Sequence, residues 1–240
     1  MKKPRTVPPM IDWHSHILPA IDDGSRSTEE SIQMLKALRE QGVDRVIATP
    51  HFLANRESVA DFLQRREKAY DRLCQASPEN LPQVICGAEV AYYPGIGRLE
   101  GFEQLTIGNS KLLLLEMPVA KWTEYTVREL GELSGTSGLT IVLAHIERYL
   151  GLQNRDVIDR LCENGLLMQV NASFFNTLGT RHKAFKLLQV GNIHFIGSDC
   201  HNMETRPPRI GCAYGWIEKK FGKEYLSQMH EYNCHMLEHK

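Results

Sequence analysis

Met10-Ile11-Asp12-Trp13-His14-Ser15-His16-Ile17-Leu18 is an apolar stretch of strand length that closes on His-x-His, with Asp22-Asp23-Gly24 following within a turn. On an extended strand, residues i and i+2 face the same side, so His14 and His16 can reach one metal ion together. Alone, the pair fits two hydrogen-bonded core histidines equally well. The rest of the chain decides. Six further strand-like stretches run over Val43 to Thr49, Gln83 to Glu89, Lys111 to Met117, Leu139 to Ala144, Leu166 to Asn171 and Ile193 to Ser198. All but Leu166 to Asn171 deliver a histidine or a carboxylate at or just past their C-terminal end: His51, Glu89, Glu116, His145, and Asp199 with His201. In a barrel of parallel strands those ends open into one mouth.

Helical patterns separate the strands. Ser27-Thr28-Glu29-Glu30 is a capping box opening a helix that Gly42 ends. A second helix runs from beyond Asn55 to Ser58 to about Gln75, and others cover Glu124 to Leu133, Arg155 to Cys162, Thr180 to Val190 and most of Arg209 to Leu237. Tyr92 to Ser110 carries Pro94, Gly95, Gly97, Gly101 and Gly108, too many breakers for a long helix, and is expected as an irregular crossover. Strand alternating with helix means a parallel sheet. With no linker or composition shift, residues 1–240 are expected as one domain, an α/β barrel of seven βα units, with a doubly wound open sheet as the rival. No G-x-G-x-x-G or G-x-x-x-x-G-K-[ST] loop follows the first strand, which argues against nucleotide binding.

Composition removes other classes. Formal net charge is −1, from 28 Lys+Arg against 29 Asp+Glu, so no basic footprint calls for nucleic acid. Met1 to Thr6 resembles the start of a signal peptide, but Val7-Pro8-Pro9 replaces the apolar core such a leader needs, and no apolar stretch is long enough to span a bilayer. A cytoplasmic protein without membrane insertion is expected. The six cysteines include no C-x-x-C pair, which fits a reducing compartment.

Glu116, after four leucines, is costly to bury unless paired or bound to a cation, and converging carboxylates repel one another without one. His14, His16, His51, Glu89, Glu116, His145, Asp199 and His201, with Asp23 or Asp22, are too many ligands for one ion and enough for two or three. The mixed imidazole and carboxylate set suits Mn²⁺, Fe or Zn²⁺ better than a Cys-type zinc site. Adjacent cations clamping phosphoryl oxygens and acidifying water are a device for cleaving phosphate esters. Arg148 and Arg206, each a few residues past a ligand-bearing strand end, match phosphate oxygens bidentately.

Ile11-Asp12-Trp13-His14-Ser15-His16-Ile17-Leu18-Pro19 with Ile21-Asp22-Asp23-Gly24, then Thr49-Pro50-His51, Gly87-Ala88-Glu89, Ala144-His145-Ile146-Glu147-Arg148-Tyr149, and Gly197-Ser198-Asp199-Cys200-His201-Asn202 with Arg206-Pro207-Pro208, resemble the bacterial capsule-regulating tyrosine-protein phosphatases (CpsB/CapC type) of the polymerase and histidinol phosphatase (PHP) superfamily. The motifs span nearly the whole chain in order. Trp13 and Cys200 fall at variable positions, and Met1 to Pro9 is a short extension. The resemblance implies a distorted (β/α)7 TIM-like barrel of PHP type with three divalent cations, usually Mn²⁺. His14, His16, Glu89 and Asp199 would hold the first, Glu89, Glu116 and His145 the second, Asp23, His51 and His201 the third. Arg148 and Arg206 would bind the phosphate, a metal-bridged hydroxide would be the nucleophile, and His201 has a second candidate role as proton donor. The implied substrate is a phosphotyrosine protein, the tail of an autophosphorylating bacterial tyrosine kinase governing capsule or exopolysaccharide synthesis.

Three alternatives remain. The same metals would serve a phosphatase of histidinol phosphate or a nucleotide. Cys200 and Arg206 have the C-x5-R spacing of a thiolate phosphatase, although the intervening segment lacks glycine and carries Glu204. A non-catalytic metal-stabilised binding protein is the third. Among the other histidines, His194 is expected in the core or as an outer-face polar residue, and His182, His230, His235 and His239 as solvated; Tyr92 and Tyr93 line a cleft or pack.

Overall fold

The computed structural model describes residues 8–154 and 156–238. Met1 to Val7, Arg155 and His239 lie outside them, and with these residues the reading of a leader, most of the N-terminal extension, the expected start of the fourth helix and one histidine assignment. In chain order the elements are β1 (Met10–Ser15), α1 (Thr28–Glu40), β2 (Val43–Ala48), β3 (His51–Phe52), α2 (Val59–Ala76), β4 (Gln83–Cys86), β5 (Glu89–Ala91), β6 (Leu112–Glu116), α3 (Glu124–Thr136), β7 (Thr140–Leu143), α4 (Val157–Glu163), β8 (Leu167–Asn171), α5 (Leu178–Gln189), β9 (Phe195–Gly197), α6 (Gly211–Phe221) and α7 (Lys223–Glu238). Four short 3-10 turns complete them. Among the described residues, no helix is long and apolar enough to cross a membrane.

Strands such as β1 and β6, buried at nearly every residue, belong to a parallel sheet covered on both faces. All pairings are parallel, and the order is sequential, β1-β2-β4 in one sheet and β3-β5-β6-β7-β8-β9 in another. This order lacks the reversal that a doubly wound sheet requires. Alternate residues serve two cores. Leu112, Leu114 and Val142 pack with Ile11, Trp13 and Phe195, while Leu113, Leu115, Ile141 and Leu143 meet the apolar faces of the helices.

Among the described residues nine strands are present where seven were expected, because the second and third each break near the C-terminal end. Pro50, without an N–H for the ladder, separates β2 from β3, and Gly87-Ala88 separates β4 from β5 alongside it. The backbone stays tied across both breaks, Gly87 donating to Ala48 O (2.8 Å) and Glu89 to Pro50 O (3.0 Å). At the far side the sheet curls back: Asp199 N donates to His14 O (2.8 Å), His16 N to Cys200 O (2.9 Å), and Ser15 and Cys200 form a parallel bridge. Gly197 permits this approach, since a Cβ there would lie 2.4 Å from that of His14.

Ser27 caps α1 through Glu30 N, although the Glu30 carboxylate reaches Arg26 N and not that of Ser27. The Tyr92 to Ser110 crossover is irregular, as expected, with two 3-10 turns. The expected long C-terminal helix is two, α6 and α7, parted by Gly222 at φ 90°. His230, expected in solvent, is buried against Tyr214 on α6, because packing of α7 on α6 turns that face inward.

His194 is held between β8 and α7, its Nδ1 accepting the N–H of Met168 (3.0 Å) and its carbonyl the Asn233 amide (3.0 Å). Burial lowers its pKa to about 4. The unfolded chain gains this proton near pH 6.5, so stability from neutral His194 is complete above 6.5 and lost as the pH falls toward 4. His194→Gln should flatten the pH dependence of Tm across that window, a difference on the order of 3 kcal/mol at pH 4. Parallel wild-type and variant melting curves would remove His194 as the cause.

Candidate metal centre

The strand ends bring the predicted donors to one place. His14 and His16 Nε2 atoms lie 3.2 Å apart, each 3.3 Å from Glu89 Oε2, with Asp199 Oδ1 at 3.7 and 3.6 Å. Glu89 Oε1 lies 2.7 Å from His145 Nε2, which is 3.4 Å from Glu116 Oε1. Asp23 Oδ1 lies 3.4 Å from His51 Nε2 and 3.5 Å from His201 Nε2, while His51 Nδ1 turns to Glu89 Oε2 (3.1 Å). Donor atoms of His16, Asp23, His51 and His201, of His14, His16 and Glu89, and of His51, Glu89 and Glu116 cluster tightly enough to surround an ion. Glu89 belongs to two of these three groups.

Four of the imidazoles are oriented from behind. Gln169 Oε1 faces His14 Nδ1 (3.3 Å) and accepts the backbone N–H of His145 (2.7 Å). Asp22 Oδ2 lies 2.8 Å from His16 Nδ1, the carbonyl of Asp199 lies 3.0 Å from His201 Nδ1, and the Tyr149 hydroxyl faces His145 Nδ1 (3.3 Å). Acceptors at Nδ1 leave Nε2 lone pairs aimed at the cluster, the arrangement by which proteins prepare histidines for metal. Among the described residues, five carboxylates, Asp22, Asp23, Glu89, Glu116 and Asp199, meet only two guanidiniums there. The residues fit two or three divalent cations.

The electrostatics bear the mark of crowding. Burial opposes ionisation of Glu89, but His14, His145 and His16 outweigh it and hold the carboxyl well below its usual range. Burial likewise works against a charged His16, yet Asp22 and Glu89 push its pKa up to about 10. Asp22 falls to about 2 despite its burial, through His16, and Asp199 to about 2 through His14, His16 and Arg206. His201 goes the other way, lowered to about 4 by burial and by the charges of His16 and Arg206. Two donors, His145 at φ 33° and Asp199 at φ 54°, have left-handed backbone although neither is glycine, strain of the kind that gathers at functional sites.

Arg148 and Arg206 converge on one atom, Asp199 Oδ2, at 2.9 and 2.6 Å. Their side chains are 36% and 41% exposed, with Arg148 Nη1 also 3.4 Å from Glu116 Oε1 and Arg206 Nη1 2.8 Å from His201 Nε2. Glu116, argued from its four leucines to be buried, is 25% exposed at the side chain because β6 ends there, at the rim.

Asp22, left open against Asp23, stands behind His16, also accepting the N–H groups of His51 (3.0 Å) and Gly24 (2.9 Å), while Asp23 faces the cluster. Gly24 makes this loop fit, since a Cβ there would lie 2.2 Å from His16 O. Asp22→Ala should weaken metal binding by about 10- to 100-fold, with occupancy restored by excess metal. Equal occupancy of both proteins at limiting metal would deny Asp22 this role. Sequence reasoning missed Gln169 and Asn171, the contribution of β8. Asn171 Nδ2 donates to Asp199 Oδ2 (2.7 Å), and its Oδ1 accepts from Gln169 Nε2 (3.1 Å). The available signal was two polar residues at i and i+2 in Leu167-Met168-Gln169-Val170-Asn171. Tyr92, expected to line a cleft or to pack, donates its hydroxyl to Glu129.

The thiolate alternative fails on geometry. Cys200 is fully buried, in the apolar core, where burial drives its thiol far above the usual range. Arg206 reaches Asp199 and His201, not the sulfur.

Fold and site together define a class: a curled parallel α/β scaffold whose strand ends assemble imidazoles and carboxylates in numbers suited to several cations, with two arginines at the opening. A family model described as capsular polysaccharide synthesis, CpsB/CapC, matches residues 10–238, and the chain belongs to that family. It is 31% identical over 232 residues to the tyrosine-protein phosphatase CpsB of Streptococcus agalactiae, covering 92% of this chain and 94% of the relative. It is 32% identical over 223 residues to the tyrosine-protein phosphatase YwqE of Bacillus subtilis, covering 90% and 86%. Among solved structures, one from work on YwqE from Bacillus subtilis and CpsB from Streptococcus pneumoniae, described as unique metal-dependent tyrosine phosphatases, superposes with a TM-score of 0.80 at 28% identity, covering 96% of each chain.

Proposed function

We propose that this chain is a metal-dependent protein-tyrosine phosphatase, one catalytic domain over residues 1–240 built as a distorted (β/α)7 barrel of PHP type. Three cations, Mn²⁺ before Fe or Zn²⁺, are held by His14, His16, Glu89 and Asp199, by Glu89, Glu116 and His145, and by Asp23, His51 and His201. The observation that carries the reading is the sharing of Glu89 among four imidazoles beside two partly exposed arginines, in a chain of the CpsB/CapC family.

When bound, the cations supply Lewis acidity at phosphorus and acidify water. The chain's own groups do the rest. Arg148 and Arg206, anchored on Asp199, present N–H donors to the phosphoryl oxygens and neutralise the charge that grows on them. Asp22, Gln169, Tyr149 and the Asp199 carbonyl keep the imidazoles aimed. His201 serves first as a ligand, with a second role as proton donor to the leaving oxygen. A phenolate with a pKa of about 10 needs less help to depart than an alkoxide, which favours an aryl phosphate. The substrate is the phosphotyrosine tail of an autophosphorylating bacterial tyrosine kinase in capsule synthesis, met in the cytoplasm; the support is the family's place in capsular polysaccharide synthesis.

The test uses purified protein stripped by chelator and restored with Mn²⁺, Fe²⁺ or Zn²⁺, offered a phosphotyrosyl peptide, a phosphoseryl peptide and histidinol phosphate. Metal-restored hydrolysis of the first, unaffected by iodoacetamide, is expected. Preference for histidinol phosphate would overturn the substrate, and activity that survives chelation would overturn the mechanism.

A further inference from the structure

Beside the cluster, a cavity of about 440 Å³ opens between the loop after β1 and the loop after β3. Asp23 and His51 form its inner edge, Ile21 and Leu53 give it apolar wall, and Arg56 stands on it. Every other charge there is engaged. Arg65 spends its guanidinium on Glu57 (3.0 and 2.5 Å) and on Ile21 O (2.6 Å); Asp22 serves His16, and Asp23 faces His51 and His201. Arg56 has no ion-pair partner among the described residues, and its backbone N–H is fixed on Leu53 O (2.9 Å). Arg148 and Arg206 reach the cluster by Asp199, at the ends of β7 and β9, whereas this cavity lies by His51 at β3. A phosphate held at the arginines leaves the cavity for what flanks it.

We infer that this cavity is a subsite for a second anionic group, the carboxylate or phosphate of a residue adjoining the phosphotyrosine, paired with Arg56. The inference rests on the phosphatase reading above and names its substrate preference. Guanidinium suits either anion. At a partly open site the pair is worth about fivefold to tenfold, and the preference should shrink as salt rises.

Metal-restored protein would be assayed on three phosphotyrosyl peptides that differ at the adjoining residue, Ala, Glu or a second phosphotyrosine, and on 4-nitrophenyl phosphate. Binding of the corresponding fluorescent, non-hydrolysable phosphonate peptides, read by anisotropy, gives affinity apart from turnover. The quantity compared is the anionic-flank to alanine-flank ratio, which divides out changes at the metal centre. Wild type should show a ratio of about five to ten for at least one anion, carried by KM and Kd; the two anionic peptides tell which. Arg56→Ala should bring it to about one, Arg56→Lys restore part, and Arg56→Glu invert it. A wild-type ratio near one, or one that Arg56→Ala leaves intact, while 4-nitrophenyl phosphate is hydrolysed, overturns the subsite alone. Failure to hydrolyse any aryl phosphate overturns the phosphatase reading and the subsite with it.

Discussion

Glu89→Ala is expected to abolish phosphomonoester turnover and to leave the purified chain short of bound cations. The carboxylate is 1% exposed and touches His14, His16, His51 and His145 with its two oxygens, so no neighbour can take its place. Its loss should exceed the roughly 100-fold effect of an outer residue such as Asp22. Elemental analysis and a rate after Mn²⁺ readdition test the two halves separately, and a full rate in the variant would refute the shared-carboxylate arrangement. Glu89→Gln keeps the shape and removes the charge. In metal-free protein a depressed carboxyl stabilises the fold above its unfolded pKa near 4.5 and loses that contribution as the pH falls through the folded value. The Gln variant should therefore melt below wild type at pH 7, and the gap should close only in strong acid.

Arg148→Ala and Arg206→Ala should each lower kcat by about 10²- to 10³-fold, the usual cost of removing one preorganised donor to a charged transition state. Metal content should stay at the wild-type level, because neither guanidinium is a ligand. Inorganic phosphate, as a competitive inhibitor, should bind both variants more weakly. Lysine at either position should recover little, since a point charge cannot reproduce two parallel N–H donors. Because both side chains hold the same oxygen of Asp199 at 2.9 and 2.6 Å, their effects should be non-additive, the double variant losing less than the product of the single ones. Loss of metal in either single variant would reassign that arginine to supporting Asp199.

The donors at the strand ends were legible because burying a polar group after an apolar run needs a reason that a single sequence displays. Glu116 after four leucines and His145 after Leu143-Ala144 announce themselves in this way. Gln169 and Asn171 did not, because they lie within β8 and act through other side chains and the His145 N–H, at |i−j| of 24 to 155. The choice between Asp22 and Asp23 needed the loop conformation that Gly24 allows, which no spacing rule supplies. The broken second and third strands were hidden for another reason: Pro50 and Gly87 are visible as breakers, but the runs on either side are apolar and strand-like. His230 was misjudged because the packing of α7 on α6 is a tertiary matter.

The bridge between Ser15 and Cys200 joins the beginning of the chain to a point five-sixths of the way along it, and the donors nearest the bridge, His14, His16, Asp199 and His201, come from both sides. A ribosome-bound polypeptide therefore has no complete centre until the last strand and its following loop have emerged, and closing so long a loop is slow compared with local helix formation. The donors of this cluster therefore meet in one late step. Fragments lacking the final fifth of the sequence would be inert however well their helices form.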